Sequence, residues 1–287
     1  MIEVEKAQGF PVSRACRLLG VSRSGFHKWR TRAPSDRALQ DAWLLAKIRA
    51  IHTANRGVYG APRIHAELRM AHRINVGRKR VERLMREAGL SGLVLRKRGR
   101  TTIRVPGVRV ADDLVKRKFK PEAPNVLWIA DMTYLRTWEG WLYLAAVQDA
   151  FSRRIVGWSM NDHMRAELVV DALQMAVVRR RPDPGLIHHS DQGSQYVSLG
   201  FGQACNKAGI SRSMGSTGVC WDNAVAETFF ATLKKEMVYR RTWPTRSELG
   251  TEVFEYIEAF YNRRRRHSTL GYLSPADYEA SSQHLGV

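Results

Sequence analysis

Three apolar, aromatic-rich runs of strand length follow one another at residues 125–135 (NVLWIADMTYL), 141–149 (WLYLAAVQD) and 153–160 (RRIVGWSM). Only short punctuating segments, 137–140 and 150–153, separate them. Connections that short cannot carry a parallel crossover, so the three runs must form an antiparallel meander. Beyond them the pattern alternates. Residues 165–178 place Leu168, Val169, Leu173 and Val177 on one side of a helix, and 185–191 (GLIHHSD) read as a buried strand. Residues 200–208 are helical and 210–213 form a short strand. A meander followed by alternating helix and strand specifies an α/β fold, with a mixed sheet covered by helices.

The first 120 residues have a different character. They hold 29 of the 47 Lys and Arg but only 9 of the 27 acids, so the whole excess of +20 lies there. Confined to one segment, such an excess points to a polyanion partner more than to general solubility. Residues 12–30 read as a helix-turn-helix: Val12, Ala15, Leu18 and Leu19 have helical spacing, Gly20 ends the first helix, and Ser22 caps the second. In that second helix Phe26 and Trp29 are expected inward, with Arg23 and Lys28 outward toward DNA. A helix over 42–52 has Trp43, Leu44, Ile48 and Ile51 as its apolar positions.

A second helical unit spans about 57–90. Pro62 stands near a helix start, and Ile64 and Leu68 form a stripe. In its last helix Val81, Leu84, Met85 and Ala88 face inward, with Arg78, Lys79 and Arg80 outward, and Gly89 is the stop. A helical bundle with a basic exterior is the alternative to DNA binding here. The expected organisation is a helix-turn-helix at 1–35, a second helical DNA-binding domain at 36–100, a basic Pro-containing linker at 101–124 and the α/β core at 125–287.

Two acids close strand-like runs: Asp131 ends VLWIA and Asp191 ends GLIHHS. A buried charge costs several kcal/mol unless it is paired or bound to a metal. Asp149 also follows an apolar run, so position alone leaves the assignment open. In the helix that follows Asp222, Val225, Phe229, Leu233 and Met237 recur every four residues, whereas Glu227 lies off that stripe. Lys234, nearly two turns on, shares the face of Glu227. Thirty-five residues separate Asp191 from Glu227.

Asp131, Asp191 and Glu227 at this spacing resemble the DDE triad of retroviral-integrase-type recombinases. The flanking text is more specific: WIADMTY, HSDQGSQY, DNAVAETFF with LKKE, and YNRRRRHSTLGY resemble the OrfB-type insertion-sequence transposases. The likeness extends back through the second helical unit. It implies an RNase H-like core whose three acids hold two Mg²⁺, with Mn²⁺ substituting. It further implies that Lys234 contacts DNA near the scissile bond, that Asn223 and Gln192 orient the site, and that Arg263, Arg264, Arg265 and Arg266 bind phosphate or target DNA.

The resemblance implies a transposase that cuts and joins the ends of its own element on target DNA as a homo-oligomer, with a possible upstream-frame protein or fusion. A metal-dependent nuclease without strand transfer and a catalytically silent DNA-binding regulator are the alternatives. His188 and His189 sit side by side on a strand and point to opposite faces, so packing or phosphate contact suits them better than one shared metal. Cys205 and Cys220 read as buried apolar residues. The longest apolar run, 141–147, is far short of the roughly 20 residues of a membrane span. The expected location is cytoplasmic and nucleoid-associated.

Overall fold

In the computed structural model, the first helix, Val12–Leu18 (α1), runs out at Gly20, whose φ of +63° suits a residue without a Cβ. Residues 11–93, 115, 121–215 and 224–283 are described, together with residues 2 and 9. Ser22 accepts a hydrogen bond from Gly25 N at 3.0 Å and starts Arg23–Thr31 (α2). Phe26 is buried as expected, but Trp29 is 69% exposed. Leu18 and Leu19 are exposed too, and α1 turns Ala15 and Cys16 inward instead. Two helices this short have room for one small apolar contact, and Phe26 fills it. The next helix is Asp36–Ala54 (α3); Leu44, Ile48 and Ile51 are buried along it, whereas Trp43 is exposed.

The chain forms two compact units, Met1–Ala50 and Ile51–Val287. In the second, Ala61–Met70 (α4) has Pro62 in its first turn and buries Ile64 and Leu68. Arg78–Glu87 (α5) buries Val81, Leu84 and Met85, and Gly89 takes φ +66° just beyond its end. This helical pair shares its unit with the sheet, so the second helical domain read from the sequence is joined to the core by packing. The linker expected at 101–124 lies outside the described residues except for Val115 and 121–124.

The meander forms as the turn spacing requires. Leu127–Thr137 (β1), Gly140–Asp149 (β2) and Ile155–Asn161 (β3) pair antiparallel in succession. Ile187–Ser190 (β4) runs parallel to β1, and Ser211–Met214 (β5) runs parallel to β4. The order is β3–β2–β1–β4–β5, which puts β1 at the centre. β4 is short and pairs β1 only at Leu127, Trp128 and Ile129, so the next residues of β1 have no β4 partner. Asp131 is among them.

Ala166–Arg180 (α6) and Leu199–Lys207 (α7) cover one face of the sheet. Their Leu168, Val169, Ala172 and Phe201 bury against Trp128, Ala130, Ala145 and Val156. α6 approaches β3 so closely that a Cβ on Gly157 would stand 2.7 Å from Cβ of Ala176 and collide with the carbonyl oxygen of Ala172. The remaining helices are Ala224–Glu236 (α8), Arg246–Glu255 (α9), which continues as a π-helical turn over Tyr256–Tyr261, and Pro275–Gln283 (α10). α10 is capped by Ser274, whose hydroxyl accepts from Asp277 N. Asp149 is structural: it is buried and accepts from the backbone N–H of Asn125, Phe151 and Ser152.

Candidate active site

Asp131 sits in β1 where β4 has ended, with its carboxylate accepting a 2.7 Å bond from Met132 N. Asp191 follows the last residue of β4 and accepts from Gly193 N at 3.0 Å. Because β1 and β4 run parallel, the two acids leave neighbouring strands at the same end of the sheet. Glu227 lies exposed in the first turn of α8, while Phe229, Leu233 and Met237 bury the helix as the four-residue recurrence demanded. The side chain of Val225 lies outside the described set.

Electrostatics bring these groups together. Burial first, then the negative charge of Asp191 and, more weakly, of Glu227 push the Asp131 carboxyl up to about 7; Met132 N and Lys234 pull the other way. Lys234 is half-buried on α8, and that burial lowers its own pKa against the pull of Asp131. Its ammonium lies 5.1 Å from the centre of the Tyr134 ring. Among the described residues, no three His, Cys, Asp or Glu side chains stand close enough to hold one ion together. The donor chemistry does fit: three carboxylates, repelling one another, suit a hard divalent cation that prefers oxygen.

The supporting residues divide. Gln192 donates to the carbonyl of Gly215 at 2.9 Å, tying the segment after β4 to the end of β5. Asn223, Asp222 and Cys220 lie outside the described residues. His188 is buried between Tyr196 and Phe201, and desolvation holds its pKa down at about 4. His189 is buried and bonds Ser213 Oγ at 3.0 Å. The two rings thus have different surroundings, His188 against aromatic rings and His189 against Ser213. Cys205 is buried, and its thiol is pushed up to about 12.

The four-arginine run needs correction. Arg263 and Arg264 are exposed, and Arg264 donates to the carbonyl of Ala54. Arg265 and Arg266 are instead buried, each committed to a carboxylate of the protein itself. Arg265 makes two bonds to Glu236, 2.7 and 2.8 Å, and Arg266 bonds Glu67 at 2.6 Å. Tyr256 also donates to Glu236, and Tyr59 accepts from Arg266 N and donates to the Arg264 carbonyl. This network fastens α4 and the C-terminal segment to the end of α8. Of the other basic residues expected on DNA, Arg23, Lys28 and Lys79 are exposed. Arg78 is exposed but paired with Glu82 at 2.7 Å, and Arg80 is half-buried.

Residues 121–220 and 227–283 match models of an integrase core domain, and residues 38–98 match an HTH-like domain. The chain is 40% identical over 284 residues to the transposase InsF for insertion sequence IS3A of Escherichia coli (strain K12), covering 96% of each chain. The chain belongs to the insertion-sequence transposases. A further relative of the transposase is the insertion element IS600 uncharacterized 31 kDa protein of Shigella sonnei, 43% identical over 263 residues, covering 92% of this chain and 96% of that one. Among solved structures, the HTLV-2 integrase catalytic core in complex with magnesium (trimeric form) is 15% identical with a TM-score of 0.44, covering 56% of this chain and 99% of its own. By its family the transposase is a polynucleotidyl transferase that acts in DNA transposition, with a mixed-sheet α/β integrase core preceded in sequence by a helical region that contains the HTH-like domain. No described helix is long and apolar enough to cross a membrane.

Proposed function

We propose that the transposase cleaves the ends of its own insertion sequence and joins them to target DNA, using Asp131, Asp191 and Glu227 as its catalytic, metal-holding acids. What supports this assignment is their placement: Asp131 and Asp191 leave the same end of the parallel strands β1 and β4, and Asp131 lies within the electrostatic reach of Glu227 and Lys234 on α8. Two Mg²⁺ ions, or Mn²⁺ in their place, would supply activation of the attacking oxygen and stabilisation of the leaving one.

The protein's own part is to hold and orient. Met132 N fixes Asp131 and Gly193 N fixes Asp191, so neither carboxylate has to be ordered when substrate arrives. Lys234 presents a positive charge beside Asp131, where a scissile phosphate would lie. Water as the attacking group gives a nick, and a DNA 3′-OH gives a joined product. No side-chain nucleophile is required for either. Exposed Arg23, Lys28, Lys79, Arg263 and Arg264 are available to the phosphate backbone, which sets register on the duplex. Cutting two ends together calls for at least two copies on DNA.

Strand joining on labelled element ends with Mg²⁺ tests this reading. Wild type should give joined products, and Glu227→Gln and Asp131→Asn should give none while still binding the ends. Hydrolysis products alone from wild type would favour the nuclease reading. Activity unchanged by Asp131→Asn would remove the acids from the mechanism.

A further inference from the structure

Lys234, Tyr134, Trp141 and Arg136 form one continuous row. The Lys234 ammonium lies 5.1 Å from the centre of the Tyr134 ring. Tyr134 meets Trp141 edge-to-face at 5.0 Å, and the Arg136 guanidinium lies 5.5 Å from the centre of the Trp141 ring. Three of the four stand on the same face of the hairpin, because Trp141 pairs with Arg136 and side chains alternate along β1. Tyr134 is 57% exposed and Trp141 40%. Trp138, at the hairpin turn, adds a third exposed aromatic.

A solvent-facing aromatic patch on a folded protein calls for a partner. This one has a cation at each end, which disfavours an apolar protein surface and suits an anion with flat π faces. Its position is equally informative. Tyr134 follows Asp131 by three residues on the same strand, about 10 Å at the ordinary strand rise. Lys234 serves both places, because its charge is felt at Asp131 while it sits on Tyr134. Asp131 and Tyr134 leave opposite faces of β1, so a strand with one phosphate at the acids reaches the row by passing the edge of β1 that β4 leaves unpaired beyond Ile129.

Paired bases keep their faces inside the duplex stack, so only nucleotides out of the duplex can use such rings. We infer that Lys234, Tyr134, Trp141 and Arg136 are a binding row for unpaired nucleotides adjoining the active site, the bases stacking on the two rings and the phosphates meeting the two cations. This rests on the proposed placement of Asp131 in the catalytic site.

The test is binding of the full chain, at fixed salt, to a labelled duplex with a short unpaired tail and to the same duplex fully paired. Wild type should prefer the tailed DNA. Tyr134→Ala combined with Trp141→Ala should weaken tailed binding roughly tenfold or more and leave paired binding nearly unchanged. Tyr134→Phe with Trp141→Phe, which keeps both rings, should retain most of the preference. Should the alanine pair melt early, Tyr134→Gln alone serves, read the same way at a smaller loss.

Equal weakening on both DNAs, or none on either, overturns the inference. So does a change in the sedimentation mass of the free protein with unchanged DNA affinity, since a second copy would then be what covers the row. Joining of fully paired ends by wild type without any preference for the tail would sink this inference and leave the proposed function standing. Loss of the function reading shows separately, as joining that Asp131→Asn does not affect.

Discussion

Glu236 and Arg265 face each other through two short hydrogen bonds, 2.7 and 2.8 Å, with both side chains at most 5% exposed. Tyr256 donates a third bond to the same carboxylate at 2.8 Å. Glu236 ends the helix that carries Glu227 and Lys234, so this pair anchors that helix at the end away from Glu227.

Removing one partner of such a pair strands the other charge in the interior, at a cost of about 3–5 kcal/mol. Arg265→Met should lower stability by that order in urea unfolding. The salt dependence of DNA binding, measured on the folded fraction, should keep its slope. Arg263→Gln with Arg264→Gln should do the reverse, leaving stability nearly unchanged and flattening the salt slope.

Asp131 gives a pH dependence in metal-free protein. Its carboxyl is raised to about 7 from 3.8, so the folded state holds the proton more tightly than the unfolded chain does. Stability from this group is therefore present below about pH 4 and declines as pH rises toward 7. Asp131→Asn should melt higher than wild type at pH 7.5 without metal, and the difference should shrink by pH 4.5. Mg²⁺ should raise the wild-type melting temperature more than that of the variant. Equal Mg²⁺ responses would take Asp131 out of the metal site.

His188 acts at the acid end. It is buried and neutral with its pKa lowered to about 4, whereas the unfolded side chain titrates near 6.5. Below pH 6.5 the unfolded chain takes up a proton that the folded one refuses. Stability then falls from about pH 6.5 to about pH 4 by roughly 3 kcal/mol, at about 1.4 kcal/mol per unit. A His188→Phe variant, compared with wild type by urea unfolding across that window, should show a shallower decline.

Gly157 marks the closest approach of α6 to the sheet. A methyl group there would push against the backbone of α6 at Ala172 and against Ala176, which a packed helix cannot yield cheaply. Gly157→Ala should cost about 1–3 kcal/mol or more. Thermal melting checks it, and an unchanged melting temperature would mean that α6 shifts freely.

Much of this was legible in the residues. The meander followed from turn spacing, the mixed sheet from the alternation after it, and the Ser22 cap from the residue type. Asp131 and Asp191 stood out because a charge closing an apolar run demands a reason. The arginine run misled because four like residues in a row fall on different sides of the chain as it leaves the π-helical turn, and only the buried partners Glu236 and Glu67 show which sides. Trp29 and Leu18 misled for the opposite reason: periodicity marks a face as apolar but cannot tell whether a short helix has anything to bury it against. Tyr134 and Trp141 fall in apolar runs of strand length, which do not say which face is covered. Their exposure depends on which stretch of the hairpin the helices leave open.

Glu227 and Glu236 are nine residues apart on α8, two and a half turns, and so point in opposite directions. One acid is exposed on the face proposed to meet the metal, and the other is locked into the ion-pair network. The consequence concerns what evolution can change here. Substitutions on the exposed surface of α8 leave this geometry alone, but one inserted or deleted residue between the two acids turns one by about 100° relative to the other. Since Arg265 holds Glu236, it is Glu227 that would swing away. The stretch between them behaves as a gauge of fixed length, and tolerance to insertions in this transposase should reach its minimum there.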